Sequence, residues 1–180
     1  MNFYNLIYEK QKKNNKPKTK ADLKELINDL SIKLSDIDTS DITDFNELFS
    51  GTKRTDFKGI GTWNTSNVVT ARRCFYNLKD FNEDISKWNT SKLQDAREMF
   101  FKCKSFNQNL NSWNVGNVKN MNKMFYECTN FKQILNKWKV DKCENFSAMF
   151  LNVKYVEEHF KEFKWNTRNA DGYSANPFKA

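Results

Sequence analysis

Few side chains in this sequence are of the types that carry out catalysis or bind metals. The chain of 180 residues has one histidine, His159, and none of its five glycines lies in a phosphate-binding pattern. Its many carboxylates resemble ordinary solvated charges, as at Asp84 and Glu98. No pair of cysteines has the spacing of about two to four residues that structural zinc sites use. We therefore expect no enzymatic activity, no cofactor and no metal site.

The four cysteines are the remaining candidates for chemistry, and their positions predict a structural role. Each falls at an apolar position of a repeat, where a cysteine acts as a small buried hydrophobic residue. Cys103 and Cys128 occupy the same repeat position. Helices of neighbouring repeats would lie about 8–10 Å apart, beyond the ~7 Å between Cα atoms that a disulfide allows. We predict four free thiols, at Cys74, Cys103, Cys128 and Cys143.

The elements that position these side chains recur every 25 residues. Bulky apolar residues in fixed columns at a fixed period are typical of a solenoid, which usually works as an extended binding surface. A fifth tryptophan, Trp165, misses the next expected position and indicates where the regular repeat ends. The two clearest columns are Trp63, Trp88, Trp113 and Trp138, and Phe75, Phe100, Phe125 and Phe150.

Within one repeat the apolar residues predict a short helix. Val68, Ala71, Cys74, Phe75 and Leu78 are separated by 3, 3, 1 and 3 residues, which matches one face of an α-helix. The other half of the repeat is rich in asparagine and turn formers, and we expect a loop or a very short strand there. The predicted fold is therefore an α/β repeat solenoid with one short helix per coil.

About five coils are predicted between residues 37 and 163. The first is degenerate, and the others begin near each tryptophan. Five coils exceed the three or so that stacking needs to form a continuous core. Their approximate bounds are 37–62, 63–87, 88–112, 113–137 and 138–162.

The flanking segments predict a cap and two tails. Thr19, followed by Asp22, matches a capping box, and we predict an N-terminal capping helix over residues 19–36 that covers the first coil. The lysine-rich residues 1–18 predict a flexible basic tail, and residues 164–180 predict an irregular one.

The composition predicts no membrane-spanning segment, because no apolar run approaches the ~20 residues that a span needs. The first residues show neither a basic region nor an apolar stretch of about 7–15 residues. A signal peptide is therefore not expected, and the sequence as it stands predicts a cytoplasmic location.

Two stretches of the sequence resemble a known family. Residues 81–91, followed by Met99 and Phe100 and by residues 103–108, are similar to the repeat of the BspA-like leucine-rich-repeat surface proteins of bacteria. Residues 17–27 resemble the helix that precedes such repeats. The resemblance implies a leucine-rich-repeat-like solenoid, largely surface-exposed or secreted, that binds proteins, often in adhesion. It implies no catalytic residues. Residues 71–74 depart from the methionine-rich helix of the family.

Positions that vary between repeats are the candidates for partner binding. We expect them to form rows along the solenoid, on the side of the loop or short strand, where another protein would bind. These candidates are Glu83, Ser86, Lys87, Gln108, Asn111, Ser112, Gln133, Asn136 and Lys137. The repeated asparagines are instead expected to satisfy the backbone of the neighbouring coil. They are Asn82 and Asn107, and Asn64, Asn89 and Asn114.

The net charge of +8 favours a second hypothesis, because a basic surface attracts anionic partners. Arg72, Arg73, Arg97 and Lys123 are candidates for a basic stripe on the helical side. Against nucleic acid, the aromatic residues are assigned to the core, so no exposed aromatic row is expected for base stacking. Two functions remain open: a protein-interaction module of the adhesion type, and an intracellular binder or inhibitor of an acidic protein or nucleic acid.

The role of the tryptophan column is testable by truncation. Trp113→Ala is expected to lower the free energy of unfolding by ~3–5 kcal/mol, the range for removing a large buried aromatic side chain. Urea unfolding of the two chains measures the difference. A loss below about 1 kcal/mol is typical of exposed positions and would make the column a candidate ligand platform instead.

Overall fold

The computed structural model describes residues 15–165 and 176–179. Two α-helices occur within these residues, α1 (Lys20–Asn28) and α2 (Lys154–His159). Three 3-10 helices span Leu34–Asp36, Ile60–Thr62 and Phe160–Glu162. The described part has isolated parallel bridges in place of strands, namely Asp44 with Thr70, Thr70 with Asp95, Asp95 with Asn120, and Asn120 with Asn145. Most of the predicted basic tail, at 1–14, and residues 166–175 and 180 of the predicted C-terminal tail lie outside the described residues.

Helix α1 begins at the predicted capping box. The Thr19 hydroxyl accepts a hydrogen bond from the Asp22 backbone N–H at 3.1 Å, and the Asp22 carboxylate accepts one from the Thr19 N–H at 2.9 Å. Leu23 and Ile27 are buried in the core. The helix ends at Asn28, well before the end of the predicted segment. Its apolar face thus covers one end of the repeats.

The prediction of an α/β repeat solenoid with one helix per coil is wrong. The segments that carry the apolar spacing, such as residues 71–78, form consecutive turns. Each contains two residues in the left-handed region, for example Arg73 at φ 54° and Asn77 at φ 60°. An α-helix has no place for such residues. The equivalent positions are Glu47, Glu98, Lys123 and Ala148, and Gly51, Lys102, Glu127 and Asn152.

Hydrogen bonds between units replace those of the predicted helix. The N–H groups of Ala71, Arg73 and Phe75 donate to carbonyl oxygens of the next unit at 2.9 Å, and that of Asn77 does so at 2.7 Å. A helical N–H would instead donate four residues back along its own segment. The same pattern recurs from residue 45 to residue 127. The spacing of apolar residues fits this chain of turns as well as it fits a helix, because both bury the same positions.

Aromatic columns fill the space enclosed by the units. The rings of Phe75, Phe100 and Phe125 stack in order with centroids 5.4 and 5.3 Å apart and are fully buried. Trp113 is 2 % exposed, and its indole Nε1–H donates to the Ile85 carbonyl of the preceding unit at 3.0 Å. The predicted tryptophan and phenylalanine columns are therefore confirmed as core.

The tryptophan column includes Trp165, contrary to expectation. Its ring lies 6.1 Å from that of Trp138 with an interplanar angle of 4°, and its Nε1–H donates to the Leu135 carbonyl at 2.8 Å. Helix α2 and the 3-10 helix that follows lengthen this last unit, so the tryptophan occurs later in sequence but in the same place. Beyond it, the carbonyl oxygens of Asn176 and Pro177 accept from the Ala148 and Phe150 N–H groups and cover this end.

A pair of substitutions at Asn77 distinguishes turns from a helix. In a left-handed position glycine carries no steric penalty, whereas a β-branched residue is strongly disfavoured. Asn77→Gly is therefore expected to be more stable than Asn77→Val by about 1–2 kcal/mol. Thermal or urea unfolding measures the order. The Asn77 side chain is exposed, so lost packing contributes little. In a helix interior glycine would be the worse residue, so the reverse order would contradict the turn conformation.

Candidate functional site

Three aromatic side chains form a stacked row on the surface. Tyr76 and Phe101 have ring centroids 4.8 Å apart at 4°, and Phe101 and Tyr126 have centroids 4.6 Å apart at 8°. All three rings are half-buried. Each follows a core phenylalanine in the turn segment, where the chain points outward again. We call Tyr76, Phe101 and Tyr126 the aromatic ladder.

The ladder departs from the assignment of the aromatic residues to the core, although its rings are half-buried and stacked face to face. The signal is present in the sequence, because the three aromatics share the 25-residue step. The predicted helix led us to assign all aromatic residues of the segment to the core, because these three directly follow the phenylalanine column in the sequence. The turns separate the two columns, one facing inward and the other outward.

Two cationic side chains lie against rings of the ladder. The Arg73 guanidinium carbon lies 5.3 Å from the Tyr76 ring centroid, and the Lys102 Nζ lies 5.3 Å from that of Phe101. Arg73 Nε also donates to Glu98 Oε2 at 2.8 Å, and Lys102 Nζ lies 3.8 Å from Glu127 Oε1. The two cations in contact with the ladder are therefore partly neutralised by Glu98 and Glu127.

The candidate basic stripe is less basic than its sequence implies. Arg73 pairs with Glu98, and Arg97 Nη2 donates to Asp95 Oδ2 at 2.6 Å. These hydrogen bonds raise the pKa of the Arg73 and Arg97 guanidinium groups above the ordinary value. Arg72 and Lys123 form no ion pair with any residue in the described ranges. Only these two carry a charge without a carboxylate partner, so no continuous stripe forms.

Much of the row proposed for partner binding holds neighbouring units together. Asn82 Oδ1 accepts from the Asn107 N–H at 2.9 Å, and Asn107 Oδ1 accepts from the Lys132 N–H at 2.9 Å. Gln108 Nε2 donates to the Asn82 carbonyl at 2.8 Å, and Gln133 Nε2 donates to that of Asn107 at 3.1 Å. The expected backbone role of Asn82 and Asn107 is confirmed, and the two glutamines share it.

Other members of this row also connect units. Ser112 Oγ donates to the Ser86 carbonyl at 2.6 Å, and Asn111 Nδ2 donates to that of Ile134 at 2.8 Å. Asn136 Oδ1 accepts from the Lys164 N–H at 3.0 Å. The Lys137 N–H also donates to Asn111 Oδ1, at 3.1 Å, although its side chain is exposed. The side chains of Glu83, which is half-buried, and Lys87, which is exposed, form no hydrogen bond to a neighbouring unit among the described residues.

The other set of asparagines acts locally, which corrects the expectation for them. Asn64 Oδ1 accepts from the Ser66 N–H at 3.1 Å, within its own turn, and Asn89 and Asn114 repeat the bond. Threonine hydroxyls connect the units at this level instead. Thr65 Oγ1 donates to the Asn89 carbonyl at 3.1 Å, and its equivalents are Thr39 and Thr90.

The four cysteines, the most reactive side chains of the sequence, lie in the core. All four cysteines are free and buried, as predicted. Burial raises the pKa of the Cys74, Cys103 and Cys128 thiols well above the ordinary value and that of Cys143 to about 12.

Among residues 15–165 and 176–179, no group of histidine, cysteine and acidic side chains is arranged to hold a metal ion. Within the same residues no helix is long and apolar enough to cross a bilayer.

Comparison with known families adds one match. The model of the family described as "Mycoplasma protein of unknown function, DUF285" matches residues 21–124 and 43–165. These spans cover most of the chain. The chain belongs to this family. The family is associated with BspA-like surface proteins, and its two matched spans contain all the repeated units and the aromatic ladder. No curated protein and no solved structure matches the chain.

Thiol reactivity tests the burial of the cysteines. In the native protein we expect all four thiols to resist a thiol-specific reagent at mild alkaline pH, because the thiolate is the reactive form and burial disfavours it. Without reductant, denaturant should expose all four to titration. Rapid reaction of the native protein would show that the core is open. Fewer than three titratable thiols in denaturant would instead indicate a disulfide.

Proposed function

We propose that the chain is a non-catalytic module that binds another protein through the aromatic ladder. The observation that carries this proposal is the stacked surface row Tyr76, Phe101 and Tyr126, with Arg73 and Lys102 against it. Tyrosine and arginine are enriched at the centres of protein interfaces. The BspA-like resemblance supports a bacterial surface protein that functions in adhesion.

The stacking determines which parts of the ladder meet a partner. Centroid distances of 4.6–4.8 Å leave no room for another ring between neighbours, so their facing surfaces are occupied. What remains accessible are ring edges and the hydroxyls of Tyr76 and Tyr126, which form no hydrogen bond to any described residue. Edges and hydroxyls offer apolar contact and polar selectivity together, as tyrosine does in many binding surfaces.

The ladder is also held rigidly. The backbone on which it stands is hydrogen-bonded to the next unit, for example Asn77 N–H to the Phe101 carbonyl at 2.7 Å and Lys102 N–H to the Tyr126 carbonyl at 2.8 Å. Each ring packs on its neighbour. Side chains that are ordered before binding lose little entropy on association, which favours affinity.

An intracellular binder or inhibitor of an acidic protein or nucleic acid is the alternative. The net charge of +8 and the unpaired Arg72 and Lys123 near the ladder favour an anionic partner. For nucleic acid, base stacking needs an open ring face. The inner faces are occupied and Arg73 lies over the ring of Tyr76, so only the outer face of Tyr126 has neither a ring nor a cation against it among the described residues. An acidic protein surface therefore fits this alternative better than nucleic acid does.

Replacing the two tyrosines together tests the proposal. Partners are first captured from the native source with the immobilised chain and identified, and the affinity of one purified partner is then measured. Tyr76→Thr with Tyr126→Thr is expected to weaken binding by about thirty-fold or more, the effect of losing an interface hot spot. A binding constant that changes less than about three-fold would remove the ladder as the interface.

The matched control is Tyr155→Thr, which removes a half-buried tyrosine on α2, away from the ladder in the chain. It should leave the affinity unchanged, and thermal unfolding confirms that each variant is folded. Protease treatment of intact cells then separates the two hypotheses. Cleavage of the native chain on intact cells supports adhesion. Protection until the cells are lysed, together with steeply salt-dependent binding, supports the intracellular alternative.

A further inference from the structure

A second feature lies at the opposite end of the chain from the last unit. The loop after α1 and residues 53–59 enclose an open cavity of about 380 Å³. Its apolar lining residues are Leu30, Ile32 and Leu34. Leu30 is 62 % exposed, the one large hydrophobic side chain of the described part that is so open to solvent. The volume falls within the range of about 300–1,000 Å³ that small-molecule sites occupy.

Arg54 holds the cavity wall in place. Its side chain is only 8 % exposed. Nε donates to the Ile27 carbonyl at 2.8 Å, and Nη2 donates to those of Asp29 and Ile32 at 2.7 and 2.9 Å. Ile27 lies in the last turn of α1, and Asp29 and Ile32 follow its end, so none of these carbonyls has a further helical turn to pair with. The guanidinium is thus fixed in one orientation by three bonds.

One nitrogen of this buried guanidinium is unused. Arg54 Nη1 has no hydrogen-bond partner among the described residues, whereas every fully buried side-chain nitrogen or oxygen there does have one. Nη1 is therefore not fully buried, and Arg54 is one of the residues that line the cavity. A fixed guanidinium with free N–H donors in a recess favours an oxyanion.

The charges around the cavity act in the same direction. Lys33, Lys53 and Lys58 line it and are exposed, and none of them forms an ion pair within the described ranges. The carboxylate in the lining, Asp56, accepts from the Lys58 backbone N–H at 2.9 Å. Among the lining residues, four cations against one carboxylate give the recess a positive potential.

We propose that this cavity binds a small organic anion. Its carboxylate or phosphate group would accept from Arg54 Nη1 and interact with the three lysines, while an apolar chain packs on Leu30, Ile32 and Leu34. The site is distinct from the aromatic ladder, and neither proposal depends on the other. The exposed leucine beside a cationic rim matches an amphipathic ligand better than an inorganic ion.

Three six-carbon probes test the proposal with the full chain. Hexanoate and hexyl phosphate are expected to bind, and hexanol, which has the same chain without the charge, at least about ten-fold more weakly. Titration calorimetry or NMR line shifts at low salt measure the binding. Comparing the two anions shows whether carboxylate or phosphate is preferred. Equal affinity for hexanol, or no binding of either anion at about 10 mM, overturns the proposal.

Matched variants locate the site. Replacing Lys33, Lys53 and Lys58 with glutamine should weaken hexanoate binding about ten-fold or more, without altering the unfolding temperature, because these side chains are exposed. The control replaces three other exposed lysines, Lys104, Lys119 and Lys139, and removes the same charge. Leu30→Ser should weaken hexanoate binding but not acetate binding. An equal loss of affinity in the control would show a non-specific effect of net charge and refute the site.

Discussion

The backbone hydrogen bonds from each turn segment to the equivalent segment of the next unit are the interaction on which this structure depends. Alternate N–H groups, as at Arg73 and Phe75, donate to carbonyls 24 residues later in the chain. Left-handed residues four positions apart in each segment, such as Arg73 and Asn77, keep it from forming a helix. The cost of roughly 1–3 kcal/mol for each such residue is offset by a backbone satisfied without helix or sheet.

That bond also determines how side chains align. Units that repeat in register place like residues above one another, so Phe75, Phe100 and Phe125 stack inside and Tyr76, Phe101 and Tyr126 stack outside. The inner columns exclude water, and the outer column forms the proposed binding surface. The asparagine and threonine columns form hydrogen bonds with the backbone of the loops that connect the turn segments. The residues available for binding therefore lie at outward positions and at the ends of the stack, and the Arg54 cavity lies at one of these ends.

Several features follow from local patterns, and the sequence predicts them correctly. Thr19 and Asp22 form the expected capping box, Trp113 is buried, and Asn82 serves the backbone of the next unit. The assumed helix accounts for two misses: the outward row that includes Tyr76, and the pairing of Arg73 with Glu98. Trp165 was missed for another reason, because α2 and the 3-10 helix after it lengthen the last unit. The role of Arg54 depends on carbonyls 22 to 27 residues away, for which no local motif exists.

The sequence by itself determined the period, the buried columns and the end cap, because these depend on which residue types recur at which spacing. Only the tertiary structure decided the backbone conformation between those positions. Separations of 3, 3, 1 and 3 residues bury the same side chains in a helix and in a series of turns. The backbone adopts turns and not a helix because its N–H groups donate to carbonyl oxygens of the next unit. Those acceptors are in place only once the next unit has packed against the first.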